Sequence, residues 1–368
     1  MTQPDFPAAA DEVPCVTAGL PGTGGRIRLC PEDFEVEEIP AYEPCGEGDH
    51  LFLWTEKRGR TTREVAQTLA RILGIDTRDV GCAGLKDRNA LTRQYFSVPA
   101  QSAVLGRLKD LDCLPESAGF RVLSKARHVN KLKTGHLRGN RFRICIRGAL
   151  PDAVERASAI LAELARSGLP NAFGAQRFGR DGMNAVRGRS LVQKPETVRA
   201  VRDRFLRRIC VSAYQSLLFN RLLARRMADG LFGQALPGDL MKKLDTGGLF
   251  ICEDAPEDSR RMETFAVAPT GPLFGHRMMR PAGEALARED AILAEEGITL
   301  ESFRHLKGDA EGGRRPLRIP VAASVSPGPE AGALCLDFSL PKGSFATVLL
   351  REVMKDGTEL PALADEDG

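Results

Sequence analysis

Several absences narrow the field before any motif is considered. The nine cysteines run from Cys15 to Cys335 without a single Cys-x-x-Cys pair. That excludes a zinc ribbon or thioredoxin-type site and points to reduced thiols rather than disulfides. None of the five histidines has metal-ligand spacing, so each reads as a structural histidine. No stretch approaches the ~20 apolar residues needed to cross a bilayer. The start, Met1-Thr2-Gln3-Pro4-Asp5, has neither the basic residues nor the apolar run of a signal peptide. The expectation is a soluble cytoplasmic protein with no membrane segment. Gly19 to Gly25 looks like a phosphate loop but lacks the Gly-Lys-Ser/Thr that binds phosphate and magnesium, so it reads as a flexible turn. The charge excess is also small: 52 basic against 49 acidic residues leaves +3. Nucleic acid is not demanded by the sum, and arginine clusters carry more information. There is no internal repeat.

What is present is enough for two domains: 368 residues, 42% of them hydrophobic. Residues 1 to about 25 and the acidic C-terminal residues read as loose. Phe34 to Ile39 reads as a strand with its acidic residues facing out, and His50 to Trp54 as a buried strand followed by the polar turn Lys57-Arg58-Gly59-Arg60. Thr61 and Glu64 have capping-box spacing, Val65, Leu69, Ile72 and Leu73 share one helical face, and Gly74 suits a left-handed end. Gly81 and Gly84 then relax the backbone before Lys86, Asp87 and Arg88, a carboxylate between two cations on a turn. By charge pattern alone such a triplet is solvated surface.

Residues 124 to 142 are unusually basic. They lead into Arg141 to Arg147, where Phe142, Ile144 and Ile146 alternate with arginines; a strand with one apolar and one basic face suits a phosphate-lined groove. Helices are expected over 151–166 and 212–227. The Gly- and Arg-bearing stretch Asn171 to Gly179 suits either a phosphate cradle or a packed loop. Residues 245–262 give no assignable pattern. Leu334 to Leu340 alternates as a strand, and Ser344 is placed to cap the helix that follows.

The segment Ala83-Gly84-Leu85-Lys86-Asp87-Arg88, with Ala90, Thr92 and Gln94, resembles the signature of the TruD-type tRNA pseudouridine synthases. The resemblance recurs in Pro31-Glu32-Asp33-Phe34, in Gly139-Asn140-Arg141-Phe142, in Asn171 to Gly179 (with Ala172 in place of a tyrosine) and in Leu340 to Thr347. It implies an α+β pseudouridine synthase catalytic fold, a mixed, mostly antiparallel sheet flanked by helices, with an inserted α/β TRUD domain. The catalytic domain would comprise residues 1–167 and 320–368, and the insertion residues 168–319. Asp87 matches the family's nucleophile. Arg28 stands where relatives often carry a lysine paired with it, which keeps the charge and changes the geometry. Phe34, Asn140, Phe142 and Phe345 match substrate-contacting positions.

The implied reaction isomerises uridine, with tRNA position 13 the family's target. It needs no cofactor and no metal, and the partner is tRNA, with no protein partner implied. The chemistry asks for an ionised carboxylate, a cation to orient it and exclusion of water. Arg28, alternating with Ile27 and Leu29 as on a strand, could bind both oxygens of Asp87. Two rival readings remain: a non-catalytic RNA-binding or RNA-chaperone protein, and a nucleosidase that would release free uracil.

Overall fold

The structure, a computed structural model, describes residues 13–355. The chain forms two compact units. A sheet unit holds residues 22–158, 322–343 and 353–355; a helical unit holds 13–21, 159–321 and 344–352. The expected division at 168 and 319 differs from this in residues 13–21, 159–167, 320–321 and 344–352, which all join the middle segment. The buried Glu352 carboxylate links the first of these to the last: it accepts hydrogen bonds from the Val16 and Thr17 backbone at 2.8 and 3.0 Å. Residues 13–21 are therefore tied down rather than loose. The C-terminal residues from 356 onward, and residues 1–12, lie outside the described residues.

In the sheet unit the elements are β1 (Phe34–Pro40), β2 (His50–Arg58), α1 (Thr62–Leu73), β3 (Gly81–Cys82), β4 (Leu91–Pro99), β5 (Phe120–His128), β6 (Leu137–Ile146), β7 (Ala323–Pro327) and β8 (Leu334–Pro341). The eight strands form one sheet in the order β7-β8-β6-β1-β4-β2-β5, with β3 beside β4. Only β1 and β4 run parallel; the other pairs are antiparallel. The mixed, mostly antiparallel α+β architecture is thus the one expected.

Helix α1 begins with the capping box the sequence signals: Glu64 N donates to Thr61 Oγ1 at 3.1 Å and Thr61 N to Glu64 Oε2 at 2.7 Å. It ends at Gly74 with φ 68°. Val65, Leu69 and Leu73 are buried against Leu51, Leu53, Phe96 and Val98 of β2 and β4, each contributing roughly 1.5–3 kcal/mol. The same sheet face carries Val36, Thr92, Lys57 and Phe142, because register places Val36 opposite both Thr92 and Phe142, and Lys57 opposite Thr92.

The opposite face is charged, and here the expectation of a basic groove fails. Arg141 and Arg143 do alternate with buried Phe142 and Ile144. Register, however, sets Arg141 opposite Glu37 and Arg143 opposite both Glu35 and Asp337. Arg93 reaches Glu56 at 2.8 Å and both Glu35 and Glu37 at 3.6 Å, and Arg121 reaches Glu56 at 2.7 Å. Charges of both signs therefore share this face, with Arg141 reaching Asp337 at 3.9 Å.

A second correction concerns thiols. Cys145 and Cys335 form a disulfide, because β6 and β8 bring them directly opposite each other with Cα atoms 4.2 Å apart. The 190-residue separation hid this pairing from the sequence. The other seven cysteines take no part in a disulfide.

The helical unit is built around α2 (Arg204–Ala228), longer than the expected 212–227, whose buried Tyr214, Leu218 and Phe219 join Phe173, Phe274 and Phe303 in one core. Its four-stranded sheet runs in the order Gly313–Pro316, Val267–Leu273, Leu240–Lys243, Leu249–Ile251. The stretch without an assignable pattern, 245–262, supplies the last of these strands and most of the helix Ala255–Glu263. Ser344 does not cap the final helix; its hydroxyl bonds Asn171 Oδ1 at 3.0 Å. Among the described residues no helix is long and apolar enough to cross a membrane.

Trp54, the single tryptophan, lies on β2 and reports on the sheet unit alone. Urea unfolding followed by its fluorescence should show Thr61→Ala less stable by about 1 kcal/mol, and Thr61→Ser little changed. An unchanged midpoint for Thr61→Ala would mean the cap is irrelevant to α1.

Candidate active site

Asp87 sits on the loop between β3 and β4, and that loop is fixed from beneath by buried polar groups. Lys57 ends the inward row Leu51, Leu53, Thr55 of β2 and is almost fully buried. Its ammonium donates to three carbonyls: Arg60 at 2.7 Å, Lys86 at 3.1 Å and Asp87 at 2.6 Å. Thr62 Oγ1 accepts from Lys86 N at 2.9 Å and bonds Gln94 Oε1, while Gln94 Nε2 donates to Gly84 O at 3.0 Å. Neither Gly81 nor Gly84 takes positive φ. Gly81 is required for a different reason: a Cβ there would come within 2.3 Å of the Leu132 carbonyl.

The three cations around Asp87 are sorted by these contacts. Lys86 turns inward to Glu38 at 2.8 Å, both side chains essentially removed from water. Arg88 reaches Glu64 at 3.0 Å and the Gly59 carbonyl. Arg28 takes Asp87, Nη2 to Oδ2 at 2.6 Å, with only 3% of its side chain exposed against 27% for Asp87. The fork-on-fork geometry expected of the pair is absent. One oxygen is held, and Oδ1 has no hydrogen-bond partner among the described residues.

Arg28 does not reach inward by strand alternation. It has φ 62°, a left-handed backbone in a non-glycine residue, costing about 1–2 kcal/mol. That kink drives the guanidinium under the loop while Ile27 stays buried and Leu29 is thrown into solvent at 62% exposure. The guanidinium carbon stands 4.1 Å from the Phe34 ring centroid, a cation–π contact that helps hold a desolvated cation. Its Nε is buried without a partner.

The remaining candidates divide between the units. Phe34 and Phe142 meet edge to face at 6.3 Å, and Phe142 stacks on Phe338 at 5.1 Å. Both are buried, so they form an apolar floor rather than free stacking platforms. Asn140, opposite Glu38 on the same face, leaves Oδ1 buried without a partner. Phe345 belongs to the helical unit and packs against Phe173 at 5.6 Å. Among the described residues no three His, Cys, Asp or Glu side chains are arranged to hold a metal ion.

Two residues that support the loop escape a reading by charge: Glu38, expected to face outward, and Lys57, expected in a polar turn. A signal for both exists in their position. Glu38 has the parity of Phe34 and Val36, and Lys57 that of Leu51 and Leu53. A charge at inward parity needs a buried partner.

The sequence model of the family described as tRNA pseudouridine synthase D (TruD) matches residues 12–203 and 189–353. The tRNA pseudouridine synthase D of Anaeromyxobacter sp. (strain Fw109-5) is 54% identical over 359 residues, covering 97% of this chain and 99% of that one. A counterpart in Thermus thermophilus is 48% identical over 347 residues, covering 94% and 93%. A crystal structure assigned to the TruD of Methanosarcina mazei superposes with TM-score 0.74 at 25% identity, covering 95% of this chain and 98% of the other.

Removing one member of the Lys86–Glu38 pair leaves an uncompensated buried charge, which costs about 3–5 kcal/mol. Glu38→Gln and Lys86→Met should each show that loss by Trp54 fluorescence in urea. The double variant should lose much less than their sum. Additive losses would mean the two side chains do not act as a pair.

Proposed function

The chain belongs to the tRNA pseudouridine synthase D (TruD) family, and on that premise we propose that it isomerises uridine to pseudouridine in tRNA, at position 13, with Asp87 as its catalytic carboxylate. The observation that supports this best is the Arg28–Asp87 contact. One carboxylate oxygen is fixed by a nearly dehydrated guanidinium, and the other has no partner among the described residues and can be approached.

The reaction breaks the C1′–N1 bond, turns the base and joins C5 to C1′; C5 gives up its proton and N1 gains one. Nothing is oxidised or reduced, so side chains suffice. Asp87 acts either as nucleophile toward the sugar or as base toward one of its protons; in both roles Arg28 orients the carboxylate by holding one oxygen. A base in a stack must first be flipped out, costing a few kcal/mol. Contacts with the exposed Leu29 and Leu85 and with the Phe34–Phe142 floor would offset part of that and exclude water. Asn140, with its unpartnered buried Oδ1, is suited to accept a hydrogen bond from the uracil edge. Phe345 is retained as a substrate-contacting aromatic on its motif alone. On this reading the sheet unit, with Asp87 and Arg28, carries the catalysis, residues 168–319 are the inserted TRUD domain, and the work on tRNA is cytoplasmic.

Release of tritium from tRNA labelled at uridine C5 measures the reaction directly, because that hydrogen must leave. Asp87→Asn should bind tRNA within a few-fold of wild type and lose turnover by at least about a thousandfold. Arg28→Ala should lower kcat far more than it raises KM, with Arg28→Lys recovering much of the loss. Turnover by Asp87→Asn within a few-fold of wild type would refute the assignment. Free uracil as product would favour a nucleosidase instead, and tRNA binding without release of label a non-catalytic RNA-binding protein.

A further inference from the structure

In the helical unit two partly buried arginines without an ion pair among the described residues lie beside one ring. Arg177 lies in the turn Ala175–Phe178 and Arg315 on the strand Gly313–Pro316. Their guanidinium carbons stand 5.8 and 4.1 Å from the centroid of one ring, Phe173. Among the described residues neither forms an ion pair; their partners are neutral. Arg177 donates to the hydroxyls of Ser212 and Ser216. Arg315 donates from Nε to the Asn171 carbonyl at 2.9 Å and from Nη2 to Asn171 Oδ1 at 2.5 Å. The Nη1 group of each has no acceptor among the described residues. Burial pushes both below the ordinary arginine range, Arg315 to about 9, with the charge of Arg177 adding to the effect.

Neighbouring arginines show that this is not the rule in the unit. Arg314 pairs with Glu289 at 2.7 Å and Arg226 with Asp239 at 2.6 Å. Arg318 has no acid among the described residues either, but it is a single cation against the rings of Phe232 and Phe265. Two like charges flanking one ring, with donors to spare, is a different arrangement. It is unfavourable alone and relieved by an anion.

We propose that Arg177 and Arg315 form a phosphate subsite that takes a phosphodiester of the RNA chain. Planar forks suit non-bridging phosphate oxygens. Asn171 is itself fixed, its Nδ2 donating to the Pro316 carbonyl at 3.0 Å and its Oδ1 accepting from Ser344, so Arg315 is preorganised. Phe173 with Phe345 supplies an apolar surface beside the cations. This is the phosphate-cradle option for the stretch Asn171 to Gly179, completed by an arginine distant in sequence. It rests on the reading that RNA is the substrate.

The test is the tRNA dissociation constant of full-length protein over a series of salt concentrations. Arg177→Gln and Arg315→Gln should each weaken binding about tenfold. Each should make the slope of log affinity against log salt shallower by about 1, as expected for one lost phosphate contact. Arg315→Lys should recover part of the affinity. In wild type, inorganic phosphate replacing chloride at constant ionic strength should raise the melting temperature and weaken tRNA binding. Folded Gln variants with wild-type affinity and slope overturn the proposal, as does a loss of turnover with both unchanged. Stabilisation by inorganic phosphate with no effect on tRNA binding would make this a free-phosphate site only, which also overturns it. If the Gln variants fail to fold, the wild-type phosphate competition decides alone. Because every arm reads binding, the subsite is judged even if wild type releases no label from tRNA, an outcome that would count against the isomerase reading instead.

Discussion

The ammonium of Lys57 is the contact on which the candidate site depends. Burying a cation costs several kcal/mol, and three backbone carbonyls, two of them from Lys86 and Asp87, offset part of that cost. Hydrogen bonds to a charged group are worth about 1.5–3 kcal/mol each, so the arrangement holds only if the loop stays where it is. The backbone of Asp87 is therefore held directly by the Lys57 ammonium. Lys86, drawn inward to Glu38, fixes the neighbouring residue by the same logic.

That architecture explains why the carboxylate meets one cation rather than three. A triplet Lys86-Asp87-Arg88 surrounds an acid with positive charge in sequence. In the fold, Lys86 and Arg88 are committed to Glu38 and Glu64. The partner comes from 59 residues away, through a left-handed backbone at Arg28 that no strand pattern would place. A lysine at that position would reach with a point charge. The arginine here lies over Phe34 and touches one oxygen, and the second has no hydrogen-bond partner among the described residues.

What the sequence made legible follows the range of the forces involved. The Thr61–Glu64 cap, the Gly74 terminus and the alternation of Phe142, Ile144 and Ile146 depend on neighbours within a few residues, and the structure has them. The inward Glu38 and Lys57 are visible in parity, but their charge argues for the surface and outweighs position. The mixed-charge face of the sheet, the Cys145–Cys335 pairing and the extent of the helical unit depend on which strands lie side by side and which distant residues meet. Charge on one strand says little about a face until Glu35, Glu37 and Asp337 are set beside Arg141 and Arg143.

The same consideration changes how the small net charge should be read. With 52 basic and 49 acidic residues, an attraction for a polyanion cannot come from the total. It has to come from places where the pairing is incomplete. Across the sheet, Arg93, Arg141 and Arg143 share their face with Glu35, Glu37, Glu56 and Asp337, so that face carries charge of both signs. In the helical unit, Arg314 and Arg226 have their acids while Arg177 and Arg315 have only hydroxyl, amide and carbonyl oxygens around them. A guanidinium matched to a carboxylate holds the fold together. One matched only to neutral acceptors keeps its charge for something else, and it is the missing acid, more than the abundance of arginine, that marks where an anion would be held.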